Sequence, residues 1–260
     1  MNYKFVIPSY KRVEGLKNKT LKFLNDMGVN HSDVYIFSSP DDNDEYVKEF
    51  GDLYTVITSR NTITEKRNHI IEYFDEGEYI IELDDDVEDI ICFYVKQIDG
   101  ISKSVSLKDK YNTIYDFVNE CFQPNVSMWG IASTTNPYFG GRGDFKGIQL
   151  RSMIASVCGY INDKRIKLTL KDKEDFERVI LYYDLGKTTL KRTDFGIKTK
   201  YWTNKGGIEA QYKKDERKIL QWETADILVE RYPNYVYKQV RKNGIADIRF
   251  RRTKGLNKML

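Results

Sequence analysis

Short apolar runs alternate with helical patterns along the first two thirds of the chain. The runs have the length of buried strands, and the segments between them carry apolar residues three or four positions apart, as on one face of a helix. Elements that alternate in this way favour an open α/β sheet flanked by helices. The predicted strands are 3–7, 34–37, 53–57, 78–81, 129–132 and 154–161, and the predicted helices lie around 16–27, 46–50, 62–74 and 114–122.

The carboxy-terminal third has a different pattern. Residues 187–205 are dense in Lys, Arg and Thr, and an amphipathic helix is predicted at 219–232. Alternating residues on both sides of Asn243-Gly244 indicate a β-hairpin, because Asn-Gly favours the tight turn that joins two strands. We therefore expect an α/β core at 1–185 and a basic α+β carboxy-terminal extension of the same domain at 186–260.

Three successive aspartates, Asp84, Asp85 and Asp86, follow the apolar strand at 78–81. Carboxylates in this position repel each other and resist burial, and a cation would remove the conflict. Aspartates with water suit a hard divalent ion such as Mg²⁺ or Mn²⁺, which would carry a diphosphate. The alternative is an acidic strand-to-loop turn without a metal, since aspartate is common in turns.

The first strand runs into Pro8-Ser9, and Arg12 follows three residues later. Pro8 cannot donate to a sheet ladder, so we expect the strand to end there. Ligands of open α/β sheets bind outside the carboxyl ends of the strands. Residues 8–12 and 84–86 should therefore share one edge, which would offer backbone amides and a guanidinium to a nucleotide and carboxylates to its metal.

Arg67 and Asn68 lie beside the apolar face of the predicted helix at 62–74, which Thr62 or Thr64 would cap. A solvated pair would normally sit further from that face, so both side chains are candidates for a ligand contact. The alternative is an ordinary exposed basic turn.

These segments, in this order, resemble the GT-A glycosyltransferases, which transfer a sugar from a nucleotide-sugar donor. The resemblance covers roughly residues 3–180 and implies a GT-A type nucleotide-sugar-binding sheet, whose first strand and Arg-Asn helix contact the nucleotide. It implies that Asp84 and Asp86 hold Mn²⁺ or Mg²⁺ with the sugar diphosphate, Asp86 being the better candidate for a metal ligand. The implied nucleotide-sugar-binding residues are Pro8, Ser9, Arg12, Arg67, Asn68, Asp84, Asp85 and Gly159.

The same resemblance assigns a role to Glu174 and Asp175, which precede an apolar helical run. Many GT-A enzymes have a Glu-Asp pair at the start of a helix near this point, and one carboxylate deprotonates the acceptor. Asp175 is the preferred catalytic base and Glu174 the second choice. A helix N-terminus also favours negative charge, so capping of the helix by Asp172 is the alternative.

A narrower resemblance rests on Leu-Asp-Asp-Asp-Val, Lys-Glu-Asp-Phe and a Gly-Gly-Ile stretch that follows a Trp. These segments look like the TET/JBP-associated glycosyltransferases, mostly phage-encoded enzymes thought to attach sugars to hydroxymethylated pyrimidines in DNA. This resemblance implies a UDP-sugar donor such as UDP-glucose, a DNA acceptor containing a base such as hydroxymethylcytosine, and a location in the host cytoplasm.

The chain has no histidine after His69, so the late metal-ligating histidine of many GT-A enzymes is missing. A carboxylate, an amide, water or the diphosphate would have to complete the shell of the ion, or the metal dependence would be weaker.

Charge refines the prediction about the acceptor. The net charge is only +3, so the whole chain is not a polyanion-binding protein by composition. Basic residues are nevertheless concentrated in the final third with aromatic residues among them, and these types contact phosphates and stack on bases. A solvated strand face is the alternative. The predicted acceptor-binding residues are Lys191, Arg192, Tyr201, Trp202, Gly206 and Gly207.

Composition sets wider limits. No run approaches the roughly 20 apolar residues needed to span a bilayer, and no signal peptide is evident, so a cytoplasmic protein without membrane association is expected. Cys92, Cys121 and Cys158 lie singly in apolar stretches and are expected to be reduced core residues. With only two histidines, a histidine-based zinc centre is not expected.

Two alternatives to transfer onto DNA remain open. One is a glycosyltransferase that acts on a polysaccharide, a lipid or a protein. The other is a non-catalytic nucleic-acid-binding module built on a GT-A fold, which the intact Asp84, Asp86, Glu174 and Asp175 disfavour.

Overall fold

The computed structural model of the protein describes residues 1–98, 101–137, 150, 153, 156–199, 213–242 and 244–251. The strands in these ranges are β1 (Tyr3–Pro8), β2 (Val34–Ser38), β3 (Thr55–Thr58), β4 (Tyr79–Leu83), β5 (Asp89–Ile98), β6 (Ile101–Ser106), β7 (Val126–Ala132), β8 (Val157–Ile161), β9 (Thr188–Lys198), β10 (Val236–Val240) and β11 (Ala246–Phe250). The α-helices are α1 (Val13–Leu16), α2 (Lys22–Asp26), α3 (Asn43–Phe50), α4 (Ile63–Tyr73), α5 (Ile114–Cys121), α6 (Glu174–Asp184) and α7 (Lys214–Arg231).

A nine-stranded mixed sheet has the order β3-β2-β1-β4-β8-β7-β9-β5-β6. Its first four strands in that order are mutually parallel, β8 is antiparallel to both β4 and β7, and β9 is parallel to β7. The carboxyl ends of β1, β4 and β7 therefore meet the start of β8 at one edge of the sheet. This edge carries Ser9, Asp84 and Ser156.

Apolar side chains cover both faces of the sheet. Phe5 and Ile7 of β1 belong to a core cluster with α1, α2, α3 and α5, whereas Val6 belongs to a second cluster with α4, α6 and α7. Strands buried on both faces have continuous apolar runs instead of polar–apolar alternation, which is why these strands could be recognised in the sequence.

Most predicted elements of the first two thirds are confirmed within a few residues. β1 ends at Pro8, as predicted. Thr62 is the N-cap of α4 and forms a capping box with Glu65, in which each side chain accepts from the other residue's backbone amide. Gly28 ends the helical segment with a φ of +74°, a conformation that glycine adopts without strain. The three cysteines are buried free thiols.

The boundary predicted at residue 185 does not coincide with the edge of the sheet. β9 lies between β7 and β5 in the nine-stranded sheet, although its residues were assigned to the basic extension. Strands β5 and β6 were also missed. Lys191, Arg192 and Asp194 give β9 a polar appearance, and burial of the Arg192 charge depends on partners elsewhere in the fold.

The helix and the hairpin predicted near the carboxy terminus are present as α7 and the antiparallel pair β10–β11. Gly244 has a φ of +75° in the hairpin turn, and Asn243 lies outside the described residues. Ala225 and Leu228 of α7 join the second core cluster. No helix in the part of the chain that the structure describes combines the length and apolar character needed to cross a membrane.

Candidate active site

The acidic turn after β4 places its three carboxylates differently. Asp85 is almost fully buried, whereas 34% of the Asp84 side chain and 16% of the Asp86 side chain are exposed. Asp85 therefore faces the protein interior, whereas Asp84 and Asp86 face the sheet edge. Of the three carboxylates, only those of Asp84 and Asp86 are accessible to a ligand, and the metal site predicted for this pair stays a prediction.

Asp85 joins the turn after β4 to the turn after β1. Ser9 Oγ donates to Asp85 Oδ2 at 2.6 Å, and Arg12 Nη1 donates to Asp85 Oδ1 at 2.7 Å. Burial raises the pKa of Asp85, while Arg12 and Ser9 oppose this effect. The Tyr46 hydroxyl lies 2.7 Å from Ser9 Oγ and accepts from the Arg12 amide. Asp85 thus connects the two turns inside the protein. Its predicted contact with the nucleotide sugar stays a prediction.

Thr20 fixes the backbone of the acidic turn. It lies in the π-helical turn Lys17–Leu21 between α1 and α2, where it is fully buried. Its Oγ1 donates to the Asp84 carbonyl at 2.7 Å and accepts from the Val87 amide at 3.0 Å. Segments of π-helix are frequent at functional sites. The sequence interpretation missed Thr20, whose partners are more than sixty residues away.

The electrostatics of Asp84 fit a cation. Burial raises its pKa to about 6, Arg67 opposes this, and the neighbouring Asp86 carboxylate raises it further. No cluster of three or more His, Cys, Asp or Glu side chains that could hold a metal occurs among the described residues. Mg²⁺ commonly uses one or two protein carboxylates and completes its shell with phosphate oxygens and water. Asp84 and Asp86 suit an ion of that kind, which would also bind the oxygens of a diphosphate.

Arg67 connects the acidic turn to the start of α6. Its guanidinium is buried, and Nε donates to Glu82 Oε1 at 2.6 Å. Nη1 donates to Glu174, and Nη2 lies 3.8 Å from Asp84 Oδ1. Arg178 also pairs with Glu82 at 2.9 Å, so that both charged partners hold the pKa of the buried Glu82 below its usual value despite the opposing effect of burial.

Asn68 organises the segment that leads to α6. Its Nδ2 donates to the Leu168 carbonyl at 2.8 Å, and its Oδ1 accepts from the Leu168 amide at 2.9 Å. Arg67 and Asn68 therefore adjoin the apolar face as predicted, but their polar atoms bond within the fold. The nucleotide contacts assigned to them stay predictions.

Lys66 is a buried cation that the sequence interpretation missed. Its Nζ donates to the Ser9 carbonyl and, at 2.8 Å, to Ser39 Oγ. Desolvation lowers its pKa to about 8. A signal existed, because Lys66 is four residues before Ile70 and so shares the apolar face of α4. The ammonium holds the loops after β1 and β2 together at the sheet edge.

Glu174 and Asp175 begin α6 but have different environments. Glu174 is engaged by Arg67, whereas Asp175 makes no ion pair in the described ranges. Burial and then the Glu174 charge raise the pKa of Asp175 to about 7. The N-cap is Lys173, with a φ of 60°, and Asp172 pairs with the Lys173 ammonium instead of capping the helix. Asp175 is thus suited to accept a proton near neutral pH.

Gly159 is not at the sheet edge. It lies within β8 and pairs with Ile81 and Trp129 on the neighbouring strands. A Cβ atom at this position would lie 2.4 Å from the Trp129 indole, which explains the glycine by packing. The prediction that Gly159 lies near the sugar does not agree with this position, since glycine residues look alike in sequence whether a ligand or an indole ring occupies the space.

The structure describes two of the six predicted acceptor-binding residues, Lys191 and Arg192. Arg192 is buried in β9, where it pairs with Glu120 at 2.8 Å and with Asp194 at 2.7 Å. The expectation that its guanidinium contacts an acceptor is therefore wrong, because this charge is used inside the fold. Lys191 is half-buried on the same strand. Tyr201, Trp202, Gly206 and Gly207 lie outside the described residues.

Several solved structures have folds similar to that of this chain. Glucosyl-3-phosphoglycerate synthase from Mycobacterium tuberculosis, solved with Mg²⁺ and UDP, aligns with a TM-score of 0.52 and 9% identity, over 96% of this chain and 87% of that one. A complex of the same enzyme with Mn²⁺, UDP-glucose and phosphoglyceric acid gives a TM-score of 0.51 and 10% identity, over 92% and 83%. At this identity the similarity shows a shared fold.

A mannosyltransferase from Pyrobaculum calidifontis, solved with GDP-Man and Mn²⁺, aligns with a TM-score of 0.48 and 12% identity, over 75% of this chain and 56% of that one. The chain thus spans little more than half the length of that protein. No curated protein sequence matches the chain significantly.

The nine-stranded mixed sheet, with Asp84 and Asp86 at its carboxyl edge, has the GT-A glycosyltransferase fold of these structures. Within that class the chain belongs to the TET-associated glycosyltransferase family, whose family model matches residues 3–207. The predicted α/β GT-A fold and the glycosyltransferase class are therefore confirmed, and the match extends past residue 185 to include β9.

Proposed function

We propose that the protein transfers a sugar from a UDP-sugar to the hydroxyl of a hydroxymethylated pyrimidine in DNA. The observation that carries the chemical part is the Arg67 bridge, which links Asp84 at the metal side of the site to Glu174 and hence to the neighbouring Asp175. A fixed arrangement of both sides is what a transfer between a bound donor and a bound acceptor requires.

In this proposal Asp84 and Asp86 are the carboxylate ligands of Mn²⁺ or Mg²⁺, and the donor diphosphate supplies further ligands to the same ion. The metal complexes of the synthase that shares this fold are consistent with such an ion. When bound, the cation stabilises the negative charge that develops on the departing nucleoside diphosphate. Residues 8–12 supply backbone to the nucleotide side of the edge, and Arg12, which is partly exposed, extends its guanidinium toward Asp86.

Asp175 acts as the general base. It takes the proton from the acceptor hydroxyl while that oxygen attacks the anomeric carbon and the bond to the diphosphate breaks. A carboxylate with a pKa near 7 is deprotonated often enough at neutral pH to act and still binds the transferred proton. One displacement of this kind inverts the anomeric configuration. Glu174 pairs with Arg67 and orients the start of α6.

The DNA part of the proposal is supported by the family and by the basic residues near the carboxy terminus. A base inside a duplex is inaccessible to an enclosed active site, so the acceptor nucleotide must be single-stranded or extruded. A phage DNA modification enzyme working in a host cytoplasm would fit this reaction.

The test is incubation of the protein with a panel of nucleotide sugars and Mn²⁺ or Mg²⁺, using hydroxymethylated and unmodified DNA as acceptors. Mass spectrometry of the digested nucleosides should show a hexose only on the hydroxymethylated base. Transfer to a polysaccharide, lipid or protein in parallel reactions, with none to DNA, would show that this other molecule is the acceptor. Absence of donor turnover with every acceptor and of donor hydrolysis would favour a non-catalytic role.

A further inference from the structure

The β10–β11 hairpin presents a basic outer face. Its inner face consists of Val236, Ala246 and Ile248, which are buried in the second core cluster. Tyr237 and Arg249 alternate with these residues and are paired across the strands on the opposite face. Tyr237, Arg249 and Arg251 are exposed.

The charge of this hairpin exceeds that of the rest of the molecule. Residues 236–251 contain five basic side chains and one acidic side chain, a net charge of +4, whereas the whole chain carries +3. The single carboxylate, Asp247, lies 3.0 Å from Arg241 and 3.4 Å from Arg249 and so serves two guanidinium groups. The hairpin therefore carries a concentrated positive charge that its own carboxylate does not balance.

The outer guanidinium groups are held in position before any ligand binds. Arg251 Nε donates to the Pro233 carbonyl at 2.8 Å, and its guanidinium lies 5.6 Å from the centre of the Tyr237 ring. Arg249 Nε donates to Gln239 Oε1 at 3.0 Å. Pre-ordered side chains lose less conformational entropy on binding, which favours a recognition role.

The hairpin is attached beside the proposed catalytic base. The Phe250 ring stacks on Phe176 with centroids 5.5 Å apart, and Phe176 directly follows Asp175. Arg231 at the end of α7 donates to Thr169 Oγ1 at 2.6 Å, next to the segment that leads to α6. The inner face of the hairpin thus packs against the first turn of α6, and the outer face lies on the other side of the same two strands.

The spacing of the two arginines fits a nucleic-acid backbone. Arg249 and Arg251 are alternate residues about 6.8 Å apart, so their two guanidinium groups can contact different phosphates of one nucleic-acid strand. The planar fork of a guanidinium makes paired charge-assisted hydrogen bonds with phosphate oxygens.

We propose that the outer face of the β10–β11 hairpin, through Arg249 and Arg251, binds the phosphate backbone of the DNA acceptor beside the nucleotide that receives the sugar. This inference rests on the proposed function and adds the surface that holds the polymer. It predicts that the hairpin contributes to recognition of a polymer and not to chemistry on the acceptor base.

The test compares two double charge reversals of equal size. Arg249→Glu with Arg251→Glu alters the hairpin face, and Lys48→Glu with Lys103→Glu alters exposed lysines on α3 and β6. Binding to labelled hydroxymethylated duplex and single strand is measured by fluorescence anisotropy over a salt series. UDP-sugar binding reports whether each variant is folded, and Arg249→Lys with Arg251→Lys is the conservative variant.

The hairpin reversal should raise the Kd for DNA by on the order of tenfold or more at low salt. It should also reduce the salt slope by about one for each phosphate that the protein no longer neutralises. Transfer to an oligonucleotide should show a raised KM. Transfer to the free hydroxymethylated nucleoside should be unchanged, and the control reversal should bind DNA like the unmodified protein. The lysine variant keeps the charge but lacks the guanidinium fork, so its DNA affinity should lie between those of the hairpin reversal and the unmodified protein.

The outcomes separate this inference from the proposed function. If the hairpin reversal is folded and has a normal DNA affinity and KM, the proposed DNA-binding surface is wrong, while the proposed transferase reaction stands. Failure of the unmodified protein to bind DNA would also contradict the proposed DNA-binding surface. Hairpin-dependent DNA binding without sugar transfer to DNA would uphold the surface and reject the proposed acceptor chemistry.

Discussion

Arg67 Nε donates to Glu82 Oε1 at 2.6 Å inside the protein, where both side chains are almost fully buried. The same guanidinium bonds to Glu174 at the start of α6. Arg67 thereby ties the strand that ends at the acidic turn to the helix that begins with the proposed base. Loss of one partner from a buried ion pair leaves an uncompensated charge, which is why such pairs are costly to break.

Replacement of Arg67 by alanine should destabilise the protein by about 3–5 kcal/mol, because the buried Glu174 would lose its ion-pair partner and Glu82 would keep only Arg178. Urea denaturation followed by circular dichroism measures this change. Arg60→Ala, at an exposed position just before α4, is the control and should have little effect. Unchanged stability together with a large fall in UDP-sugar affinity would instead indicate that Arg67 contacts the donor.

Asp86→Ala should reduce turnover by on the order of a hundredfold or more, the usual scale for loss of an electrostatic stabiliser. The physical reason is that one of the two accessible carboxylates no longer holds the cation at the diphosphate. Steady-state transfer over a Mn²⁺ titration measures the effect, with Asp26→Ala as an exposed-carboxylate control. Full activity of the unmodified protein in excess chelator would contradict the metal site.

Asp175→Asn should abolish transfer while UDP-sugar affinity, measured by calorimetry, persists. The amide keeps the shape of the side chain and cannot accept the proton. In the unmodified protein, transfer should rise with pH through about 7 as Asp175 ionises. Glu174→Gln removes the neighbouring negative charge and should move this rise to lower pH. Near-normal transfer by both variants would exclude the pair from the mechanism.

The raised pKa of Asp175 also makes a prediction about stability. The folded protein binds the Asp175 proton more tightly than the unfolded chain does, so this group reduces stability as pH rises from the ordinary pKa of 3.8 to about 7. Asp175→Asn should therefore be more stable than the unmodified protein above pH 7, with little difference well below pH 4. Denaturation at both pH values tests the sign.

Gly159→Ala should destabilise the protein by about 1–3 kcal/mol or more, because the added methyl group would overlap the Trp129 ring in a packed interior. Gly15→Ala is the control, since its Cβ would have no neighbour closer than 3.8 Å and alanine favours a helix. Thermal denaturation compares the two. A weakened donor affinity in a Gly159→Ala protein of normal stability would restore the predicted role of Gly159 near the sugar.

The sequence by itself determined the order of the elements and the edge at which the site lies. Strands buried on both faces have continuous apolar runs, and the cap residues of α4 lie within one helical turn of each other, so both signals are local. Because parallel strands end at the same edge, the segments containing Ser9 and Asp85 could be placed together before their hydrogen bond was known.

Only the tertiary structure decided what each charged residue does. Arg67 and Glu174 are 107 positions apart, and Thr20 and Asp84 are 64 apart, so no periodicity in the sequence could reveal these contacts. The burial of Arg192 and Lys66 likewise depends on partners from other elements. A charge can be buried only where distant groups neutralise or hydrogen-bond it, and the meeting of those groups is a property of the folded chain.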